Sequence, residues 1–120
     1  MMKSWKTCTL LVLLGLAAAG CRSPYVETDI RNNSDKPIHL IEVDYPSASF
    51  GKQTLDPHAT YHYHFKIQGS GPVAINFTDA AGKTHSSTGP QLKEGQKGSL
   101  QMTVTGDGSV NWSENLASGK

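Results

Sequence analysis

Apolar and polar residues alternate along several segments of the chain, with the period of two that is typical of half-buried β-strands. The clearest alternation lies at 61–67, where aromatic and apolar residues alternate with histidine, lysine and glutamine. At 26–31, a row of Val26, Thr28 and Ile30 alternates with charged residues. The other predicted strands are rich in β-branched or alternating residues, and they lie at 38–45, 73–77, 83–88, 100–104 and 110–112. Segment 83–88 is the most polar, which is typical of a sheet edge.

Clusters of Gly, Pro, Asn and Asp separate these strands and predict tight turns. Asp79–Lys83 has the composition of a hairpin connection in which Gly82 adopts a positive φ. Leu55–Ala59 predicts a reverse turn with Pro57 at its second position and a positive φ at His58. Gly106–Gly108 predicts another tight turn.

Seven or eight short strands at about ten-residue spacing predict an all-β fold, a single antiparallel β-sandwich. Its size favours an immunoglobulin-like arrangement, although the Cys…Trp…Cys pattern of true immunoglobulin domains is absent from the sequence. A small β-barrel is the alternative, because a period of two does not distinguish the two architectures. After residue 20, no segment keeps apolar residues at helical spacing over three turns.

The first twenty residues have the pattern of an export signal. Lys3 and Lys6 precede an apolar run from Cys8 to Ala19, and Gly20–Cys21 follows as a small-residue cleavage site. A run of about twelve apolar residues is shorter than the twenty or so that cross a bilayer. A membrane-spanning anchor and ordinary cleavage without a lipid are the alternatives.

The segment Leu16–Cys21 resembles the lipobox of bacterial lipoproteins. The resemblance implies cleavage between Gly20 and Cys21 and a diacylglycerol and acyl chain, such as palmitate, on Cys21. It also implies the cell envelope, and Arg22, where Asp would favour the inner membrane, implies the periplasmic side of the outer membrane. The mature domain is similar to small uncharacterised lipoproteins that carry one β-sandwich behind a lipobox. The predicted organisation is signal peptide 1–20, lipidated cysteine and tether 21–25, sandwich 26–112 and flexible tail 113–120.

Charge and cysteine content narrow the classes of partner. Removal of residues 1–20 takes away Lys3 and Lys6 and leaves nine Lys and Arg against ten Asp and Glu. These charges are scattered without a basic stripe, so we expect no nucleic-acid partner. Cys21 is then the single cysteine, and no disulfide can form within one mature chain.

His62 and His64 form the compact histidine pair of the sequence. On a strand, residues two positions apart lie on the same face, about 7 Å from each other. This spacing would allow two imidazoles to bind one zinc or copper ion. His39 or His85 could supply a further ligand. The competing interpretation is a solvated polar face shared with Lys66, because the aromatic residues of this strand must point inward.

The segment 44–51 is the best candidate for a recognition loop, since Tyr45 and Phe50 flank small residues behind Pro46. Rigid aromatic side chains provide contact area at low entropic cost. The alternative is that both rings cover one end of the core.

No catalytic constellation is evident, so the sequence favours a non-enzymatic protein of the cell envelope with a binding or structural role. Its expected contacts are the membrane, through the lipid on Cys21, and an unidentified envelope protein or glycan. No cofactor is expected. A metal-binding lipoprotein using His62 and His64 is one alternative, and a small envelope hydrolase using Asp or Glu with a histidine is another.

Overall fold

Alternating short segments and tight turns produce an all-β domain in the computed structural model, which describes residues 24–118. Within that range, no helix is long and apolar enough to cross a membrane. Eight strands follow one another along the chain: β1 Val26–Asn33, β2 Ile38–Tyr45, β3 Ala48–Leu55, β4 Thr60–Phe65, β5 Gly71–Thr78, β6 Thr84–Leu92, β7 Lys97–Thr105 and β8 Val110–Ala117.

The strands form two four-stranded sheets, in the orders β4-β1-β7-β8 and β3-β2-β5-β6. This confirms the predicted β-sandwich, immunoglobulin-like in its general architecture, over a closed barrel. Strand β6 lies at an edge, as its polar sequence predicts. One pair differs from an entirely antiparallel arrangement: β1 runs parallel to β7, with Val26 beside Gly98 and Asn33 beside Thr105.

The core lies between the sheets and is built from the inward rows that the alternation predicts. Val26 and Ile30 of β1 are fully buried, and so are Val73 and Ile75 of β5. The remaining buried apolar side chains complete one cluster: Ile38, Ile41, Val43, Phe50, Leu55, Phe65, Ile67, Phe77, Leu92, Leu100, Met102 and Val104. Burial of large apolar side chains contributes about 1.5–3 kcal/mol each, so this cluster is the main source of stability.

Aromatic rings close the sandwich along the β3/β4 side. Tyr45 of β2 stacks on Phe65 of β4 with ring centroids 4.0 Å apart, and Phe50 of β3 stacks on Tyr63 of β4 at 4.1 Å. On the other side, the indole Nε1 of Trp112 donates a hydrogen bond to the Ser87 hydroxyl at 2.9 Å. That bond joins β8 to β6 across the two sheets.

The predicted turns are confirmed at backbone level. His58 has a φ of 60°, and the amide of Ala59 donates to the carbonyl of Asp56 at 3.1 Å. Gly82 has a φ of 86° in the hairpin that joins β5 to β6. Gly108 donates its amide to the carbonyl of Thr105 at 3.1 Å, which closes the β7–β8 turn.

Strand β2 contains a β-bulge that the alternation does not reveal. His39 pairs with Thr78, but Glu42 pairs with Asn76, so one extra residue lies on β2. Leu40 takes up the extra residue with a φ of 51° and leaves its side chain 60% exposed. The inward row therefore continues at Ile41 instead of Leu40.

Two further boundaries correct the sequence-based expectations. Residues 48–55 form strand β3, whereas the alternation predicts no strand there. The flexible tail predicted from residue 113 is also wrong in its boundary, because β8 continues to Ala117. Both strands lie at sheet edges and bury few side chains, which explains their weak sequence pattern.

The topology gives the sandwich two distinct ends. We call one the entry end, because the described chain enters β1 there beside the turns 46–47, 66–70 and 93–96. The opposite end, the far end, carries the four turns 34–37, 56–59, 79–83 and 106–109.

Candidate functional site

A cleft of about 340 Å³ opens at the far end of the sandwich. Its walls come from three turns, at 34–37, 79–81 and 105–108. Its floor is formed by Ile38, Phe77 and Val104, where the buried core reaches the surface. A small volume with an apolar floor and polar rims is typical of a ligand or side-chain binding site.

The first wall is held by Asn32, which is fully buried at the end of β1. Its Nδ2 donates to the carbonyls of Lys36 at 2.8 Å, Leu55 at 3.1 Å and Asp56 at 3.1 Å. Its Oδ1 accepts from both the amide and the hydroxyl of Ser34, at 3.2 and 2.6 Å. One side chain thus fixes the β1–β2 turn against the β3–β4 turn.

The second wall depends on Asp79. Its Oδ1 accepts the amides of Ala81 and Lys83 at 2.9 Å, and its Oδ2 lies 2.8 Å from Nε2 of His85. The His85 ring also stacks on Phe77, with centroids 5.1 Å apart. The hydrogen bond from His85, followed by that from the Lys83 amide, lowers the pKa of Asp79.

The third wall is the β7–β8 turn, which Asp107 stabilises from within. Its Oδ1 accepts the Thr105 hydroxyl at 2.5 Å and the Ser109 amide at 3.1 Å. These bonds, with the Thr105 hydroxyl first, lower the pKa of Asp107. The carboxylate therefore stays ionised and organises the turn.

Each of the four far-end turns contains one aspartate: Asp35, Asp56, Asp79 and Asp107. Lys36 and Lys83 are the lysines of these turns. Asp35 is 95% exposed, and its Oδ1 lies 2.9 Å from Nε2 of His58 in the neighbouring turn. The far end is consequently acidic and rigidly built.

The carboxylates of the cleft suit ionic recognition better than a general-acid role. A general acid needs a carboxyl with a raised pKa, whereas the pKa of Asp79 is lowered and both of its oxygens are occupied. Asp35 lines the cleft but is nearly fully exposed to water. Ionised carboxylates on a rim can recognise cationic groups of a partner.

His62 and His64 point to solvent on the outer face of β4, as the inward aromatic row predicts. His62 lies between two carboxylates of β1: its Nδ1 is 2.5 Å from Asp29 and its Nε2 is 2.8 Å from Glu27. The bond to Asp29, and then that to Glu27, raises the pKa of His62. His64 packs edge-on against Tyr25, with centroids 5.2 Å apart.

The structure does not bring the two imidazoles together around one point. Both nitrogens of His62 already face carboxylates on opposite sides of the ring. Among residues 24–118, no group of three or more His, Cys, Asp and Glu side chains is placed to hold a metal ion. His39 and His85 have other partners, Thr54 and Asp79. Metal binding stays a prediction from the sequence.

The predicted recognition loop is a tight hairpin between β2 and β3. Phe50 is 8% exposed and belongs to the core, which agrees with the interpretation that the rings cover the core. Tyr45 is half-buried, and burial, with a smaller effect of Tyr63, raises its pKa. Pro46 lies at the tip, where the Ser47 hydroxyl donates to the carbonyl of Gln68 at 2.6 Å. A recognition role for this tip stays a prediction.

Gly20 and Cys21, the predicted cleavage and lipidation residues, lie outside the described residues. The far-end cleft itself was not predicted. Its signal in the sequence is the recurrence of one aspartate in each alternate turn, but only the strand order shows that these turns share one end. Asn32 stands in an asparagine-rich turn, and nothing in that composition distinguishes it from Asn33.

Comparison with known proteins supports the architecture. No known protein family and no curated protein matches the sequence. Among solved structures, the chain is similar to a protein from Eubacterium rectale determined by NMR. The TM-score is 0.55 at 12% identity, and the match covers 74% of this chain and 86% of that protein. At this identity the likeness concerns the fold alone, and the fold is a two-sheet β-sandwich.

Proposed function

We propose that this protein is a lipid-anchored, non-enzymatic component of the bacterial cell envelope that presents its far-end cleft to a protein or glycan partner. The observation that carries the proposal is the position of the cleft at the end opposite to the entry of the chain. An anchor at Cys21 would hold the entry end towards the membrane and direct the cleft away from it.

Simple lengths support this arrangement. The five residues 21–25 span at most about 17 Å when fully extended. Eight-residue strands add about 26 Å along the sandwich. The cleft would therefore stand between about 26 and 43 Å from the membrane surface, depending on how far the tether extends, within reach of other envelope components on the same side.

The anchor is tested by the substitution Cys21→Ser. Since no described residue depends on a disulfide, the variant should fold normally but take up no radiolabelled fatty acid and leave the detergent phase. Metabolic labelling followed by detergent partitioning measures both effects. Absence of label on the unmodified protein, together with its recovery in the aqueous phase, would contradict the anchor.

The binding role is tested by site-specific photo-crosslinking in intact cells. A photoreactive residue at Lys36 or Ala81, both on the cleft walls, should capture the same partner reproducibly. The matched position is Lys93, which is exposed at the entry end. Equal capture at Lys93, or no reproducible product at the far end, argues against the cleft as the binding surface.

A further inference from the structure

The entry end carries a set of lysines that the far-end cleft does not use. Lys66 follows β4, Lys93 follows β6, and Lys97 begins β7. All three are exposed. Glu94 is the single acidic residue in the turns of this end, whereas the far-end turns hold four aspartates and two lysines. The net charge of the described turns is thus positive at the entry end and negative at the far end.

Lys66 and Lys97 lie near the point where the described chain begins. Pro24, Lys66 and Glu94 line one cavity of about 500 Å³. The amide of Gly98, the residue after Lys97, donates to the carbonyl of Tyr25 at 3.3 Å. Any tether that continues from residue 24 towards Cys21 therefore emerges among these side chains.

Within the described part of the chain, no carboxylate lies within ion-pair distance of these lysines. Among residues 24–118, every ion pair has a histidine as its cationic partner. Glu94 forms no ion pair with any of the three, and its Oε1 accepts the amide of Gly69 at 2.8 Å. Glu27 and Asp44, close to the entry-end termini of β1 and β2, lie on strand faces and not in the turns. The lysine charges are consequently available to an external anion.

We propose that Lys66, Lys93 and Lys97 bind the anionic phospholipid headgroups of the leaflet that holds the anchor. This inference rests on the proposed lipid anchor, because a short tether is what brings these lysines to the bilayer surface. Each Lys near an anionic leaflet strengthens association about fivefold, through an attraction that decays within a Debye length. Acidic far-end turns are repelled by the same surface, so both ends favour an upright domain.

The test measures the orientation of the purified, lipidated full-length protein in vesicles. A water-soluble amine-reactive reagent labels the lysines, and mass spectrometry reports the rate at each one. In vesicles with about 30% anionic phospholipid, we expect labelling of the three entry-end lysines to slow at least about threefold relative to neutral vesicles. Lys36 and Lys83 at the far end serve as internal controls and should not change.

Two variants and a salt titration separate charge from crowding by the bilayer. The protection should disappear at about 1 M salt, where the Debye length is about 3 Å. The protection of Lys97 should also be lost in the double variant K66E/K93E but persist in K36E/K83E. Equal labelling in neutral and anionic vesicles would overturn the inference. The mass of the purified protein shows beforehand whether Cys21 carries a lipid. If it carries none, the proposed anchor is wrong, and the orientation test is not reached.

Discussion

Two polar side chains on β1, Asn32 and Thr28, are fully buried but differ in their partners. The Asn32 amide uses both its oxygen and its nitrogen, and it joins two turns below the cleft. Among residues 24–118, the Thr28 hydroxyl finds no hydrogen-bond partner. A buried polar group stabilises a fold only when it is paired, since an unpaired one costs its desolvation energy.

We therefore expect opposite effects from removing these two groups. Asn32→Ala leaves three carbonyls of the far end without their donor and should lower the free energy of unfolding by about 2–4 kcal/mol. Thr28→Val removes an unpaired hydroxyl at nearly constant shape. It should leave the free energy of unfolding unchanged or raise it by about 1 kcal/mol. Urea denaturation measures both.

Asn33→Ala is the matched control, because Asn33 is the exposed neighbour of Asn32. It should change the free energy of unfolding by no more than about 0.5 kcal/mol. If Asn32→Ala were as mild as this control, the amide would not be holding the two turns together.

At the scale of elements, the bulge in β2 links two unusual residues. Leu40 has the left-handed conformation, which costs an L-residue about 1–2 kcal/mol. On the neighbouring strand, a Cβ at Gly51 would lie 2.5 Å from the carbonyl oxygen of Ile41. The bulge therefore needs a glycine at position 51 on β3. At its own strained position on β2, however, the residue is Leu40 and not a glycine.

This leads to a prediction for the substitution Leu40→Gly. Glycine removes the left-handed strain but loses about 0.5–1 kcal/mol of backbone entropy, and little burial is lost because Leu40 is 60% exposed. We expect a net gain of about 0.5–1 kcal/mol in the free energy of unfolding. The matched substitution Leu40→Ala keeps the strain and should give no gain. A loss of stability in Leu40→Gly would indicate that the leucine side chain has contacts that offset its strain.

The strands also show which parts of the fold could be predicted from the sequence alone. The inward rows of β1, β5 and β7 could be predicted because alternation is a local property. Strand β3 could not, since in an edge strand only Phe50 and Leu55 are buried and no alternation results. The bulge in β2 could not be predicted for a different reason, because its register shift exists only relative to β5.

The candidate site was less predictable than the fold. The turn at His58 could be predicted from its own residues, but the pairing of His58 with Asp35 depends on two turns that are distant in sequence. Likewise, the outward direction of His62 followed from its strand, whereas its two carboxylate partners follow from the β1–β4 register. Contacts set by topology need the three-dimensional structure.

At the scale of the whole molecule, the shifted pKa values define a pH range of greatest stability. The raised pKa of His62 contributes stability that is complete below the ordinary value of 6.5 and is lost as pH rises through the raised value. The lowered pKa values of Asp79 and Asp107 contribute stability above 3.8 that is lost as pH falls through the lowered values. Stability should be greatest between these limits.

Chemical denaturation at a series of pH values tests this expectation. The unmodified protein should lose stability both above about pH 6.5 and below about pH 4. The variant His62→Gln should lose the decline on the alkaline side and keep the acid one. An unchanged alkaline decline in His62→Gln would mean that the hydrogen bonds of His62 do not affect folding.

The position of β1 inside its sheet has a mechanical consequence for an anchored protein. β1 lies between β4 and β7 and is paired with both along its length. A force applied through a tether at residue 24 acts along β1, across the perpendicular bonds to β4 and the slanted bonds to β7, so many bonds resist shear together. In a single-molecule experiment, a domain pulled between residue 24 and the turn at Ala81 should rupture at a higher force than a domain whose edge strand β8 is peeled away starting at Ala117. If the tether entered through an edge strand, its hydrogen bonds would break one at a time. Here the tethered strand β1 is hydrogen-bonded on both sides, to β4 and to β7.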